Sequence, residues 1–309
     1  MLIGGYVTAI LISNANPPLE LAGHQFTGDM KDLWTIPIAG VVAGLAGFLF
    51  GFPALRLSGL YLALATFAVA VAAPAIVKKY EDFTGGGPGI NLLESPQLTG
   101  VSRTDPITFE QTPEGVHFAG IDISSFNDWL YFLSWTIALV LFAVAWLLLQ
   151  GGFGRSLRAV RDSELAAASF GINLARYKTL AFGISAFYAG VAGSLLAIAT
   201  TFVNPDTFPV ALSIFLLVGV VVGGLGSLGP LVIGAIFIHY MQSGGAQDIE
   251  DVIPNFIPLL GDIDTDAVGA PAVAFGVVLI LIMLLFPAGA AGLIRRLTAL
   301  ANDRRRRAS

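Results

Sequence analysis

The chain has no cysteine, three histidines and few charged residues. Without cysteine there is no disulfide, no thiolate nucleophile and no cysteine-held metal or iron–sulfur centre. His24, His117 and His239 lie far apart, with no ligand spacing between them and no carboxylate cluster beside them, so no metal site is expected. No Gly-Lys dipeptide occurs, which removes the phosphate-cradling G-x-x-x-x-G-K-[ST] loop, and any ATP that drives this protein is hydrolysed on another subunit. Charged residues make up 12% of the 309 positions, against roughly a quarter in soluble proteins. The chain is 55% hydrophobic, and its mean hydropathy is +0.79. Sixteen basic and 21 acidic side chains cannot wrap that much apolar surface in a water-facing shell, so lipid must cover it. The fold class that follows is all-α: a polytopic integral membrane helical bundle.

Apolar runs near the length of a bilayer crossing are Leu33 to Gly51, Gly59 to Val77, Trp129 to Leu149, Lys178 to Phe202 and Ala270 to Ile294. Three shorter runs are Met1 to Ile12, which reads as the end of a helix whose beginning is missing, Val210 to Val222 and Leu231 to Met241. Together they predict about eight spans in a membrane domain over residues 1–294, with residues 295–309 a basic tail. No secretory signal peptide is expected, since Met1 runs directly into apolar sequence.

The net charge of −5 matters less than where the charges sit. Arg155, Arg158, Arg161, Arg176 and Lys178, with Arg295, Arg296 and Arg304 to Arg307, place eleven of the sixteen basic residues in two segments. The positive-inside rule makes the loop 151–178 and the tail cytoplasmic. Glu81 to Asp128 holds eight acids and one base, Arg103, and Gln242 to Gly269 holds six acids and no base. The loops 79–128 and 242–269 are therefore outer. Eight crossings close this alternation with both termini cytoplasmic, and Lys78 and Lys79 are its one discordant pair.

Glycine is abundant, 36 of 309. Gly40, Gly44, Gly47 and Gly51 step by four, three and four, a face that admits a second helix closely; Gly183, Gly190 and Gly193 repeat the pattern. Gly224-Leu-Gly226-Ser-Leu-Gly229 satisfies G-x-G-x-x-G, yet a dinucleotide fold needs soluble βαβ units around it, and a helix-breaking turn between two short spans is expected instead. Thr84-Gly-Gly-Gly-Pro-Gly89 reads as turn chemistry, with a contact to a binding protein or substrate as the rival.

The segment Gly154-Arg-Ser-Leu-Arg-Ala-Val-Arg-Asp-Ser-Glu-Leu-Ala-Ala-Ala-Ser-Phe-Gly171 carries the most information. Asp162 or Ser163 caps a short helix, Ala166 to Ala168 favour its interior, and Gly171 ends it. A helix that short is marginal alone in water, so the segment is expected to lie against a partner, with Arg155, Arg161, Asp162 and Glu164 as a polar docking surface. The competing reading is a basic loop that only fixes topology.

Glu164-Leu-Ala-Ala followed by Gly171 resembles the EAA loop of ABC importer permeases. Its flanks, G-R-x-L-R-A-x-R before and G-I-N-x-x-R-Y-K after, resemble the LivM-type branched-chain amino-acid permeases. So do Leu55-Arg-Leu-Ser-Gly-Leu-Tyr-Leu-Ala, Thr84-Gly-Gly-Gly-Pro-Gly-Ile, Val222-Gly-Gly-Leu-Gly-Ser-Leu-Gly-Pro and Met283-Leu-Leu-Phe-Pro-Ala-Gly, in the family's order over most of the chain. The resemblance implies a permease subunit for leucine, isoleucine and valine in the plasma (inner) membrane of a prokaryote. It implies as partners a second, LivH-like permease subunit, two ABC ATPase subunits and an extracytoplasmic substrate-binding protein. It carries over Glu164, Ala167 and Gly171 as ATPase-coupling residues, with Arg155 and Arg161 as flanking contacts, and it assigns no substrate-lining residue. No cofactor, nucleic acid or catalytic residue is expected.

Two departures accompany the resemblance. Family members usually begin with further hydrophobic sequence, so Met1 is expected to be a misassigned start, and the outer region Glu94 to Asp128 is longer than the family's usual connection. Two other readings compete: a permease of the same build for urea, amides or another small polar solute, and a channel or secondary carrier outside the ABC class. Adjacent genes for two ATPases, a second permease and a binding protein separate the ABC readings from the last.

Overall fold

Glycine decides where the helices meet. The computed structural model describes residues 1–12, 19–21, 24–26, 32–54, 60–92, 116–118, 121–123, 126–224 and 228–240, with positions 280, 284, 289 and 292. The helices among them are α1 (Leu2–Ile12), α2 (Asp32–Ala54), α3 (Leu60–Lys79), α4 (Glu81–Thr84), α5 (Phe126–Gln150), α6 (Gly152–Asp162), α7 (Glu164–Ser169), α8 (Leu174–Thr200), α9 (Val210–Gly223) and α10 (Leu228–Tyr240). Strands among the described residues are two or three residues long and pair in three antiparallel ladders. The chain is an all-α, multi-pass membrane protein. Among the described residues four segments are long and apolar enough to cross a membrane, namely Leu33–Pro53, Leu130–Gln150, Leu174–Thr200 and Pro205–Gly223; Leu2–Ile12 and Leu228–Tyr240 are shorter apolar helices. The expected loop 242–269, the tail 295–309 and, apart from four positions, the last span lie outside the described residues.

The chain divides into two compact units, Met1–Phe208 and Pro209–Ser309. In the first, α2 and α8 run antiparallel with their glycine faces together. Gly40 lies against Val191 and Phe187, Gly44 against Gly183 and Phe187, Gly47 against Ala186, and Gly51 against Thr179. Lipid tails are as apolar as leucine, so helices gain little from hydrophobic exclusion in a bilayer, and close backbone approach with dispersion contact holds them instead. The α1 helix crosses the same ridge, Gly4 on Gly190 and Gly5 near Gly193. There the Thr8 hydroxyl donates to Ser194 Oγ at 2.6 Å, both residues buried. Such an interhelical bond contributes on average about 0.6 kcal/mol in a membrane protein. Tyr188 of α8 donates from its hydroxyl to the Leu141 carbonyl of α5 at 2.9 Å, joining a fourth helix to the group.

One end of this unit is closed by short loops. β3 (Ile90–Asn91) pairs with β6 (Phe202–Val203), which brings the turn after α4 to the end of α8, the end that the charge pattern assigns to the outer side. Gly89, at φ +79°, lies where a Cβ would strike the Val203 carbonyl, so the Thr84–Gly89 stretch is a tight turn packed on the neighbouring strand. Lys78, discordant by charge pattern, forms an ion pair with Asp206 at 3.3 Å. β1 (Leu19–Leu21) pairs with β2 (His24–Phe26), and β4 (Val116–Phe118) with β5 (Ile121–Ile123). In the second unit α9 and α10 form a hairpin in which Gly219 and Gly234 touch and Val218, Val222 and Ile238 are buried. α9 ends at Gly224, which sits at φ +99°, so the G-x-G-x-x-G stretch begins as the expected helix-breaking turn.

Candidate functional site

Between α5 and α8 the chain makes an elbow of two helices. Gly151 separates α5 from α6, and its N–H donates to the Leu147 carbonyl at 3.2 Å. Gly154 then approaches the Leu149 backbone so closely that a Cβ would overlap it. Arg158 reaches back over the end of α5: Nη2 donates to the Leu149 carbonyl at 3.0 Å and Nε to the Gly154 carbonyl at 3.3 Å. A cation there complements the negative end of the α5 dipole. The α6 helix is amphipathic, with Phe153, Leu157 and Val160 turned inward and Arg155, Arg158 and Arg161 exposed.

Ser163 serves both helices of the elbow. Its N–H donates to the Ala159 carbonyl at 3.0 Å and closes α6. Its extended backbone turns the chain, and its Oγ accepts from the Ala166 N–H at 3.3 Å to open α7. A cap of this kind contributes about 1 kcal/mol. Ala167 is 2% exposed and seats the helix on the chain. At the other end the Gly171 N–H donates to the Ala168 carbonyl at 3.0 Å and the Ile172 N–H to the Ala167 carbonyl at 3.1 Å, a Schellman ending. Gly171 sits at φ +79°, and a Cβ there would meet nothing within 4 Å, so backbone conformation and not space demands glycine. Asn173 then accepts through Oδ1 from the Arg176 N–H at 3.1 Å and starts α8.

Two contacts fasten the elbow to the root of α8. Lys178 Nζ lies 2.7 Å from Glu164 Oε2, and the Phe153 and Tyr177 rings stack at 5.6 Å. Two apolar side chains of the elbow face away from the protein: Leu165 is 85% exposed and Phe170 86%. Beside Phe170 runs a groove of about 460 Å³, lined by Arg155, Ala159, Asp162, Ser163 and Ala166 among others.

Of the residues singled out from sequence, Arg155 lines the groove. Arg161 turns to its neighbour Asp162 at 2.9 Å, Glu164 is held by Lys178, Ala167 is buried as the seat of α7, and Gly171 forms its ending. Sequence reasoning did not single out Leu165 and Phe170, or α6 as a helix of its own. The apolar spacing Phe153, Leu157, Val160 at i, i+4, i+7 was the signal for α6, and two large apolar residues within a basic, water-facing segment were the signal for the exposed pair.

The profile of a family described as "Branched-chain amino acid transport system / permease component" matches residues 1–292. The high-affinity branched-chain amino acid transport system permease protein LivM of Escherichia coli (strain K12) is 38% identical over 208 residues, 66% of this chain and 49% of that protein. The chain thus spans about half the length of this relative. The autoinducer 2 import system permease protein LsrC of Klebsiella pneumoniae is 34% identical over 116 residues, 36% of this chain and 34% of that protein. The probable branched-chain amino acid transport permease protein LivH of Methanocaldococcus jannaschii is 30% identical over 128 residues, 41% of this chain and 40% of that protein. No solved structure matches the chain.

Proposed function

This chain belongs to the family of permease components of branched-chain amino acid transport systems, and from that membership we propose that it is one membrane subunit of an ATP-driven importer for leucine, isoleucine and valine. The observation that carries the reading is the elbow. A six-residue helix cannot stand alone in water, yet here it is capped at both ends and presents Leu165 and Phe170 to solvent among arginines. That arrangement suits a docking surface: apolar side chains as anchors and charges at the rim. The partner is an ABC ATPase, one of two, whose closure on nucleotide displaces the elbow and through it the spans. Arg155, Arg161, Glu164, Ala167 and Gly171 belong to this coupling segment, with Leu165 and Phe170 as its contact side chains.

The likeness to a LivH protein supports a related second permease subunit beside this one, the two enclosing the pathway. The charge pattern supports both termini and the elbow on the cytoplasmic side of a prokaryotic plasma (inner) membrane, and the acidic outer loops supply a surface for an extracytoplasmic binding protein. LsrC is named for a different solute, so the amino-acid assignment rests on the LivM names and not on the helices. The work done is binding and conformational exchange, with ATP hydrolysis on the ATPase subunits.

Affinity purification of the tagged chain from its native membrane, in mild detergent, tests the assembly. The expected result is co-purification of ABC ATPase subunits and a second, related permease in stoichiometric amounts. Recovery of the chain without any ATPase, from membranes that transport leucine normally, contradicts it.

A further inference from the structure

Glu164 is the acidic residue that an importer permease is expected to offer to its ATPase, yet in this protein the carboxylate is engaged within the chain. Its Oε2 lies 2.7 Å from Lys178 Nζ, with the two side chains 57% and 31% exposed. The neighbouring Arg161 does not compete for it, because it is taken by Asp162 through both Nε, at 3.0 Å, and Nη2, at 2.9 Å. Glu164 is the first residue of α7, where a carboxylate also suits the helix dipole, and Lys178 lies one turn into α8. The covalent path between them passes Gly171, whose left-handed backbone turns the chain from α7 toward α8. Beside that turn and the buried seat at Ala167, the ion pair is a further tie between α7 and α8.

We infer that Glu164 is a positioning residue acting through Lys178: the pair clasps α7 to the root of α8, while the ATPase grips the adjacent Leu165 and Phe170. The inference rests on the ATPase-docking reading given above and assigns the coupling path within it. The clasp gives a push on α7 a rigid route into α8, and the stack of Phe153 on Tyr177 holds α6 to the same turn. α8 is also the helix whose glycine face carries α1 and α2, so displacement of its root moves three helices together. A partly exposed ion pair adds little to stability, which makes its effect one of coupling rather than folding.

Charge exchange in the complete transporter tests this. Glu164→Lys, Lys178→Glu and the double exchange are compared in membranes for leucine uptake, and after purification for ATPase retention and ATP hydrolysis. Each single exchange is expected to cut uptake about tenfold, with the ATPase still retained and hydrolysing ATP. The double exchange restores uptake to within about threefold of the original. Glu164→Gln, which keeps a hydrogen-bond acceptor toward Lys178, falls between. Three results overturn the inference: normal uptake in Lys178→Glu, a double exchange as impaired as Glu164→Lys, or loss of the ATPase in Glu164→Lys, since that makes the carboxylate a partner contact. Failure of the docking reading itself is recognised separately, by absence of ATPase from the unaltered chain.

Discussion

Gly190→Leu is expected to prevent α1, α2 and α8 from packing and to remove folded protein from the membrane. Gly190 sits where the three helices cross: a Cβ there would lie 2.5 Å from Ala43 Cβ, 2.9 Å from the Ala39 carbonyl oxygen and 3.1 Å from Gly40 Cα. From the other side Gly4 packs against the Gly190 backbone. None of these neighbours has a flexible end that can swing away, so an isobutyl group must drive the backbones apart. The displacement forfeits dispersion contact along the α2–α8 seam and breaks the Thr8–Ser194 bond beside it. Overpacking of this kind costs about 3 kcal/mol or more, a large share of the stability of any domain. The yield of monodisperse chain after extraction and size exclusion is expected to fall at least about tenfold. Gly229→Leu is the control, because a Cβ at Gly229 meets nothing within 4 Å. Equal yields from the two variants contradict the packing account.

The second large effect is expected from Leu165→Asp combined with Phe170→Asp. Both side chains are more than four-fifths exposed, so α7 keeps its Ser163 cap and Gly171 ending and the chain inserts as before. What changes is the surface that the proposed docking would use: two apolar anchors become carboxylates that would have to be desolvated unpaired against an ATPase. Losing one apolar hot spot typically costs about 2 kcal/mol, and burying an unpaired charge costs more. The double variant is therefore expected to lose the ATPase on purification and to transport leucine at less than about a tenth of the normal rate. Phe170→Leu, which keeps apolar bulk, retains most of both. Normal ATPase retention by the double aspartate variant contradicts the assignment of Leu165 and Phe170 as docking side chains.

Much of the fold was legible because lipid imposes a simple length and polarity requirement. The predicted run Leu33 to Gly51 lies within α2, Asp32–Ala54, and Val210 to Val222 within α9, Val210–Gly223. α8 begins at Leu174, four residues before the apolar run, because its first turn carries Arg176 and is fixed by the Asn173 cap, which hydropathy does not register. The glycine spacing announced close-packing faces on both α2 and α8 but not that they face each other, since spacing describes one helix at a time. The β3–β6 ladder joins residues more than a hundred positions apart through two residues on each side, too short to leave a period-2 pattern. In the elbow, the Ser163 cap and the Gly171 ending were legible as local backbone chemistry. The Glu164–Lys178 clasp was not, because it depends on how the chain folds back at Gly171, and the exposure of Leu165 and Phe170 depends on what the rest of the chain leaves uncovered.

Uptake of labelled leucine by a strain lacking this gene and by the complemented strain tests the central claim most directly, with unlabelled isoleucine, valine, urea and ribose as competitors. An importer for branched-chain amino acids predicts that uptake falls on deletion and returns on complementation, and that isoleucine and valine compete while urea and ribose do not. Unchanged leucine uptake on deletion, or restored uptake indifferent to isoleucine and valine, contradicts it.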